Sequence, residues 1–153
     1  EAAILDAQMD RLEAQNATRT RNAVALKQKL GELDGLILRD SDPRVSLNAF
    51  NYFGVRLDLR RINCDRNGFV YALAARGTPA TTGFAALCRM EMLKSESYVK
   101  STGHAFADDK RTPNAEVWAE SSVWLPGRVL LGTEEHVAKI FEDFREVALA
   151  NAK

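Results

Sequence analysis

Residues 2–39 read AAILDAQMDRLEAQNATRTRNAVALKQKLGELDGLILR, and the outline of the fold turns on this stretch. It contains no proline, its only glycines are Gly31 and Gly35, and Ala, Leu, Glu, Gln, Lys and Arg dominate it. That is the composition of a helix. Within it a 3-4 spacing picks out Leu5, Met9, Leu12, Asn16, Arg19, Ala23, Leu26, Leu30, Leu33 and Ile37. As alternating heptad positions these sustain a seam over about four heptads, interrupted by the polar Asn16 and Arg19. A helix of this length, at 1.5 Å per residue, would reach about 55 Å. The apolar stripe is narrower than that of a helix packed on its own domain. A coiled coil with a partner helix is therefore expected, with Asn16 helping to fix register, and with the partner, identical or different, left open. The competing expectation is a solvated helix lying against its own domain.

Outward from the helix, Asp40-Ser41-Asp42-Pro43 breaks the pattern, because the residue before proline is pushed out of the helical region. The expected division is therefore a coiled-coil helix over 1–40 and a compact α+β domain over 41–153. Val45 to Phe53 predicts a short helix ended by Gly54. Val55, Leu57 and Leu59 then alternate with Arg56, Asp58 and Arg60, as in a half-exposed antiparallel strand. Asp65-Arg66-Asn67-Gly68 carries the Asn-Gly signal of a tight hairpin, returning as a strand from Phe69 to Ala75. Thr81 or Thr82 can cap a helix to about Lys94. Two further strands are predicted, Tyr98 to Ala107 and Val117 to Leu125, joined by the charged loop Asp108-Asp109-Lys110-Arg111 and closed by Pro126-Gly127. The second of these sets Trp118 and Trp124 on one face. Thr133 caps a last amphipathic helix to about Ala150, with Val137, Ile140, Phe141, Phe144, Val147 and Ala148 as its stripe. The order helix, β, β, α, β, β, α describes a ferredoxin-like antiparallel sheet with helices on one face.

Composition narrows the chemistry. The formal charge is zero, with 21 basic and 21 acidic residues, so nucleic acid is not an expected partner. No apolar run approaches the ~20 residues that span a bilayer. Glu1 opens mid-helix without methionine or N-cap, so a longer protein is expected, whose upstream part would hold any targeting or membrane segment. Cys64 and Cys88 have no CxxC spacing, and fit either one disulfide or two buried thiols. His104 and His136 lie in no metal-binding spacing. No catalytic constellation, cofactor motif or metal site emerges, and the chain is expected to be no enzyme.

Taken together, the long helix, Pro43 leading to Gly54-Val55-Arg56-Leu57, the run Phe69–Gly77, a helix near Thr81, and Leu93-Lys94-Ser95-Glu96-Ser97-Tyr98 resemble PilN. PilN is the inner-membrane assembly protein of type IV pilus machines, with a type II secretion counterpart. The resemblance implies a scaffold on the periplasmic side of the bacterial inner membrane, as a homodimer or paired with a PilO-like subunit. The membrane helix would lie upstream of Glu1, and the periplasm would permit a Cys64–Cys88 bridge. Association would run through the seam that the spacing marks, with Leu5, Met9, Leu12, Asn16, Leu26, Leu30, Leu33 and Ile37 as interface residues. Two alternatives stand beside it: an extracytoplasmic sensor or ligand-binding module, with a pocket lined by Tyr71, Tyr98 or Trp118, and a minor pilin-like subunit.

Overall fold

The computed structural model describes residues 2–104 and 112–153. Helix α1 runs over Ala2–Leu30 and stops well short of Pro43. Gly31 and Gly35 end it instead: the Gly31 amide closes on the Lys27 carbonyl, and Gly35 takes φ +81 against the Ile62 side chain. A side chain at Gly35 would be strained in this left-handed conformation and would run into Ile62. The chain then enters strand β1 (Leu36–Leu38), so Leu33 lies in the turn and Ile37 on a strand, off the helical seam.

After β1 the chain crosses residues 39–51 without a helix. The Asp42 carboxylate holds the Arg44 amide at 2.9 Å, and the Asn48 side chain holds the Phe50 amide at 2.9 Å. Such local side-chain turns offer the backbone an alternative to helix, which is why the short helix expected from Val45 does not form. Strand β2 (Tyr52–Leu57) follows. It pairs antiparallel with β1, Leu36 opposite Leu57, and with β3 (Ser122–Pro126), Gly54 opposite Trp124. The sheet is three-stranded in the order β1-β2-β3, not ferredoxin-like.

Helix α2 (Arg66–Ala75) replaces the expected hairpin and second strand. Asp65 is its N-cap, accepting the Gly68 amide at 2.7 Å, so Asn67-Gly68 sits in a helical first turn. Phe69, Val70 and Leu73 then face the core. From Gly77 to Ala86 the chain is an irregular strap rather than a helix, followed by a 3-10 turn (Leu87–Arg89), α3 (Glu91–Lys94) and α4 (Glu96–Thr102). Helix α5 (Pro113–Ser121) carries Pro113 in its first turn and takes the first half of an expected strand. A second 3-10 turn (Gly127–Leu131) leads to α6 (Glu134–Ala150), capped by Thr133 as the sequence predicts.

The core fills the space between one face of the sheet and helices α1, α2 and α6. Phe53, Val55 and Leu57 of β2 and Val123 and Leu125 of β3 point inward. Ala23, Leu26 and Leu30 of α1, Phe69 and Leu73 of α2, and Ile140, Phe144 and Val147 of α6 meet them. Asn22 pins α1 in place, donating to the carbonyls of Leu130 at 2.8 Å and Gly132 at 3.0 Å. The second half of α1 is thus part of this core.

Candidate functional site

The outer face of the sheet has a different character. Gly54 leaves room there for Trp118, whose ring would meet a Cβ on Gly54 at 3.6 Å. Trp124 lies opposite Gly54 in the register, and its indole nitrogen donates to the Ser122 hydroxyl at 2.7 Å. Tyr52 and Phe84 stand edge-on to Trp124 at 5.3 and 5.5 Å between ring centroids. The two tryptophans do share a face, although Trp118 reaches it from α5 rather than from a strand.

The strap over residues 77–86 is fastened at several points, from α6 on the core side of the sheet round to this outer face. Thr81 and Trp124 exchange both backbone hydrogen bonds, at 2.8 and 2.9 Å. Thr78 donates through its hydroxyl to the buried Asp143 carboxylate at 2.6 Å, and Lys139 pairs with the same carboxylate at 2.5 Å. Arg66 donates to the carbonyls of Thr82 and Ala119, tying the strap to the end of α5. Gly83 is required where the strap crosses Trp124, since a Cβ there would approach the indole to 2.6 Å at φ +67.

A second carboxylate closes the outer side. Glu116 on α5 is only 6% exposed and accepts two bonds from Arg89, at 3.1 and 2.6 Å, and one from the Thr112 amide at 3.1 Å. The Cys88 sulfur lies 3.1 Å from the Thr112 hydroxyl and 3.5 Å from the Glu116 carboxylate. These contacts fasten the 3-10 turn at residues 87–89 to α5. Burial of a charged group this deep demands such pairing.

Cys64 and Cys88 are separate free thiols, so the bridge between them is not formed. Burial, and then the neighbouring Asp65 carboxylate, push the Cys64 thiol above its usual range. His104 is exposed after α4, and His136 lies in the first turn of α6, its amide bonded to the Thr133 hydroxyl. Among the described residues no cluster could hold a metal ion. Asp108, Asp109, Lys110 and Arg111 lie outside the described residues.

The seam residues divide. Leu5 and Met9 are 66% and 63% exposed and Leu12 39%, whereas Leu26 and Leu30 are fully buried in the chain's own core. Asn16 is buried and accepts from Arg19 at 3.0 Å rather than facing a partner helix. Glu116, Asp143 and Thr78 carry no signal in the sequence that marks them as buried polar residues. Beside the nearby Lys139 and Thr112, the partners that bury these acids, Thr78 for Asp143 and Arg89 for Glu116, lie far along the chain.

This arrangement of sheet, helices and strap is found elsewhere. A model of the DegT/DnrJ/EryC1/StrS aminotransferase family matches residues 1–145. The chain belongs to this family. It is 31% identical over 133 residues, 87% of its length, to 3-amino-5-hydroxybenzoate synthase of Amycolatopsis mediterranei (strain S699). A crystal structure of 3-amino-5-hydroxybenzoic acid synthase superposes with a TM-score of 0.79 at 28% identity, covering 98% of this chain and 38% of that one. The aminotransferase TlmJ from Streptoalloteichus hindustanus shares the fold, with a TM-score of 0.72 at 23% identity over 95% of this chain and 35% of that one. The chain spans about a third (34%) of the length of the curated relative that it matches.

Membership of an aminotransferase family overturns the PilN resemblance, and with it the pilus scaffold, the PilO-like partner and the periplasmic placement. The sensor and minor-pilin alternatives fall for the same reason. The expectation that the chain is no enzyme is likewise corrected, since its relatives are aminotransferases. No helix among the described residues is long and apolar enough to cross a membrane.

Proposed function

We propose that this chain is the smaller portion of an aminotransferase subunit that places an amine on a six-membered ring. The observation carrying this reading is the similarity to 3-amino-5-hydroxybenzoate synthase over most of the chain, in sequence and in fold. In such a transfer the acceptor's ring C=O becomes CH–NH2, and the donor's amine-bearing carbon becomes a carbonyl. A second copy of the subunit is the partner in this reading, because aminotransferase homologues are typically homodimers.

Pyridoxal phosphate, on which this family depends, would supply the aldehyde that takes up the donor's amine and passes it to the acceptor. The described residues of this chain do not assemble a site for it. Lys27 bonds to Ser41, Lys29 lies over the Phe141 ring, and Lys153 bonds to the Leu59 carbonyl. Lys94, Lys100 and Lys139 pair with Glu91, Glu96 and Asp143. Lys100, which lines an open hollow with Glu96, Ser97 and Ser101, is the one paired with Glu96. The part assigned here to this chain is therefore to present the outer aromatic face and its fastened strap to the remainder of the enzyme.

The test is amino transfer by the complete subunit supplied with pyridoxal phosphate, an amino acid donor and a panel of six-membered ring ketones. Mass spectrometry should find the aminated ring and the oxo acid in equal amounts. Absence of transfer from every donor to every acceptor would sink the proposal.

A further inference from the structure

Strand β2 lies between β1 and β3, and its side chains alternate between the core and the outer face. Phe53, Val55 and Leu57 are buried in the core, so Gly54 and Arg56 point outward together, on the side where Trp118 lies over Gly54. Arg56 is half-buried there, and among the described residues its guanidinium makes no hydrogen bond and no ion pair. The other half-buried arginines among the described residues all have partners. Arg19 donates to Asn16 and Gln15, Arg66 to the carbonyls of Thr82 and Ala119, and Arg145 pairs with Glu142.

The sheet itself offers Arg56 no acceptor. Ile37 stands opposite it on β1, and Ser122, opposite it on β3, takes up the Trp124 indole nitrogen. Asp58, two residues on, is held by Arg60. A cation drawn partly out of water costs free energy unless an acceptor meets it. The flat fork of a guanidinium matches both oxygens of a carboxylate.

We propose that Arg56 is a specificity-determining residue of the amino transfer, taking the carboxylate of a ring acceptor with Trp118 and Trp124 as the apolar wall beside the ring. The proposal rests on the reading that this chain belongs to an aminotransferase acting on a six-membered ring, and it narrows the acceptors to ring acids. An amino acid donor also carries a carboxylate, and the surroundings choose between the two. Tyr52, Phe84, Trp118 and Trp124 share the outer face with Arg56. Aromatic surface of this extent suits a flat ring better than the polar body of an amino acid.

Benzoate and benzamide test this in the complete subunit carrying pyridoxal phosphate, because they share a ring and differ in charge. Calorimetric titration should find benzoate bound about tenfold or more tightly than benzamide. Arg56→Gln should remove that preference by bringing benzoate down to the level of benzamide. Arg56→Lys keeps the charge and loses the fork, and should fall between the two. In amino transfer, the advantage of a ring keto acid over its carboxamide in kcat/KM should shrink by the same factor. Equal binding of benzoate and benzamide by the unaltered enzyme overturns the proposal, whether or not a variant folds. So does an Arg56→Gln enzyme that keeps the preference. If Arg56→Gln weakens glutamate binding and leaves benzoate binding as it was, the guanidinium serves the donor's carboxylate and the proposal falls. The binding readout needs no amino transfer. A complete subunit that prefers benzoate through Arg56 but aminates no ring overturns the activity alone. One that aminates ring ketones equally with and without a carboxylate overturns the role of Arg56 alone.

Discussion

The two halves of α1 share a spacing and differ in everything else. Residues 16–30 bury their stripe in a core built with α6 and the sheet, and Asn22 adds two carbonyl contacts more than a hundred residues away. Residues 3–14 present the same stripe to solvent. Heptad spacing therefore reports that a face wants cover and says nothing about who covers it. A long seam invites a single partner along its whole length, yet here the second half is answered within the chain.

The largest effect that could break this contrast is truncation along the stripe. Leu26→Ala should destabilise the 1–153 chain by about 3–4 kcal/mol, through lost burial and the cavity it leaves. Leu5→Ala in the same chain should stay within about 0.5 kcal/mol, as exposed sites do. Urea unfolding of the two variants measures both, and comparable losses would show that the first half is covered after all. A smaller effect separates the two asparagines. Asn22→Ala strands the Leu130 and Gly132 carbonyls and should cost about 2 kcal/mol, whereas Asn16→Ala loses only its bond from Arg19 and should cost less than about 1 kcal/mol. Thermal unfolding would reveal a reversed order.

The smallest effect sharpens the end of the seam. The Asp58 amide bonds to the Gly35 carbonyl at 2.8 Å, just where the chain leaves α1 for β1. The hydrogen bond from the Arg60 guanidinium holds the Asp58 carboxyl down at about 2. A lowered carboxyl lends stability above its unfolded value and loses it as pH falls through the folded one. Its contribution should thus be intact at neutral pH and fade from about pH 4 toward pH 2. Carbon-detected NMR titration should place the Asp58 midpoint near 2, and Arg60→Ala should return it toward the ordinary carboxylate range.

Where local signals agreed, the sequence could be read. Thr133 caps α6 and the 3.6-residue stripe behind it is the buried face, so cap and periodicity point to the same helix. The alternation through Val55 and Leu57 finds β2 and its inward face, but the strand begins three residues earlier, at Tyr52, and ends at Leu57, before Leu59 and Arg60. Where two signals competed, the louder was wrong. Asn67-Gly68 reads as a hairpin, but Asp65 three residues earlier was free to cap, and Phe69, Val70 and Leu73 suit one helical face as well as a strand. In α5, the alternation of Val117, Ala119 and Ser121 hid a helix that Pro113 announces.

The candidate site was hardly legible. Trp118 and Trp124 were set on one face, though with the wrong element beneath one of them. Glu116 and Asp143 look like any surface acid on an amphipathic helix. Arg89, 27 residues from Glu116, and Thr78, 65 residues from Asp143, decide otherwise. A long helix followed by short mixed elements is likewise too common a plan to name a family, and the resemblance to PilN rested on that plan rather than on a site.

The strap fastened to β3 has one more effect. By exchanging both backbone hydrogen bonds with Trp124, Thr81 occupies the outer margin of the last strand, and β1 at the opposite margin is only three residues long. Unpaired strand margins are where sheets of different molecules zip together into aggregates. With one margin bridged at its middle by Thr81 and the other only three residues long, this small sheet offers little unbroken edge for another molecule's strand to extend.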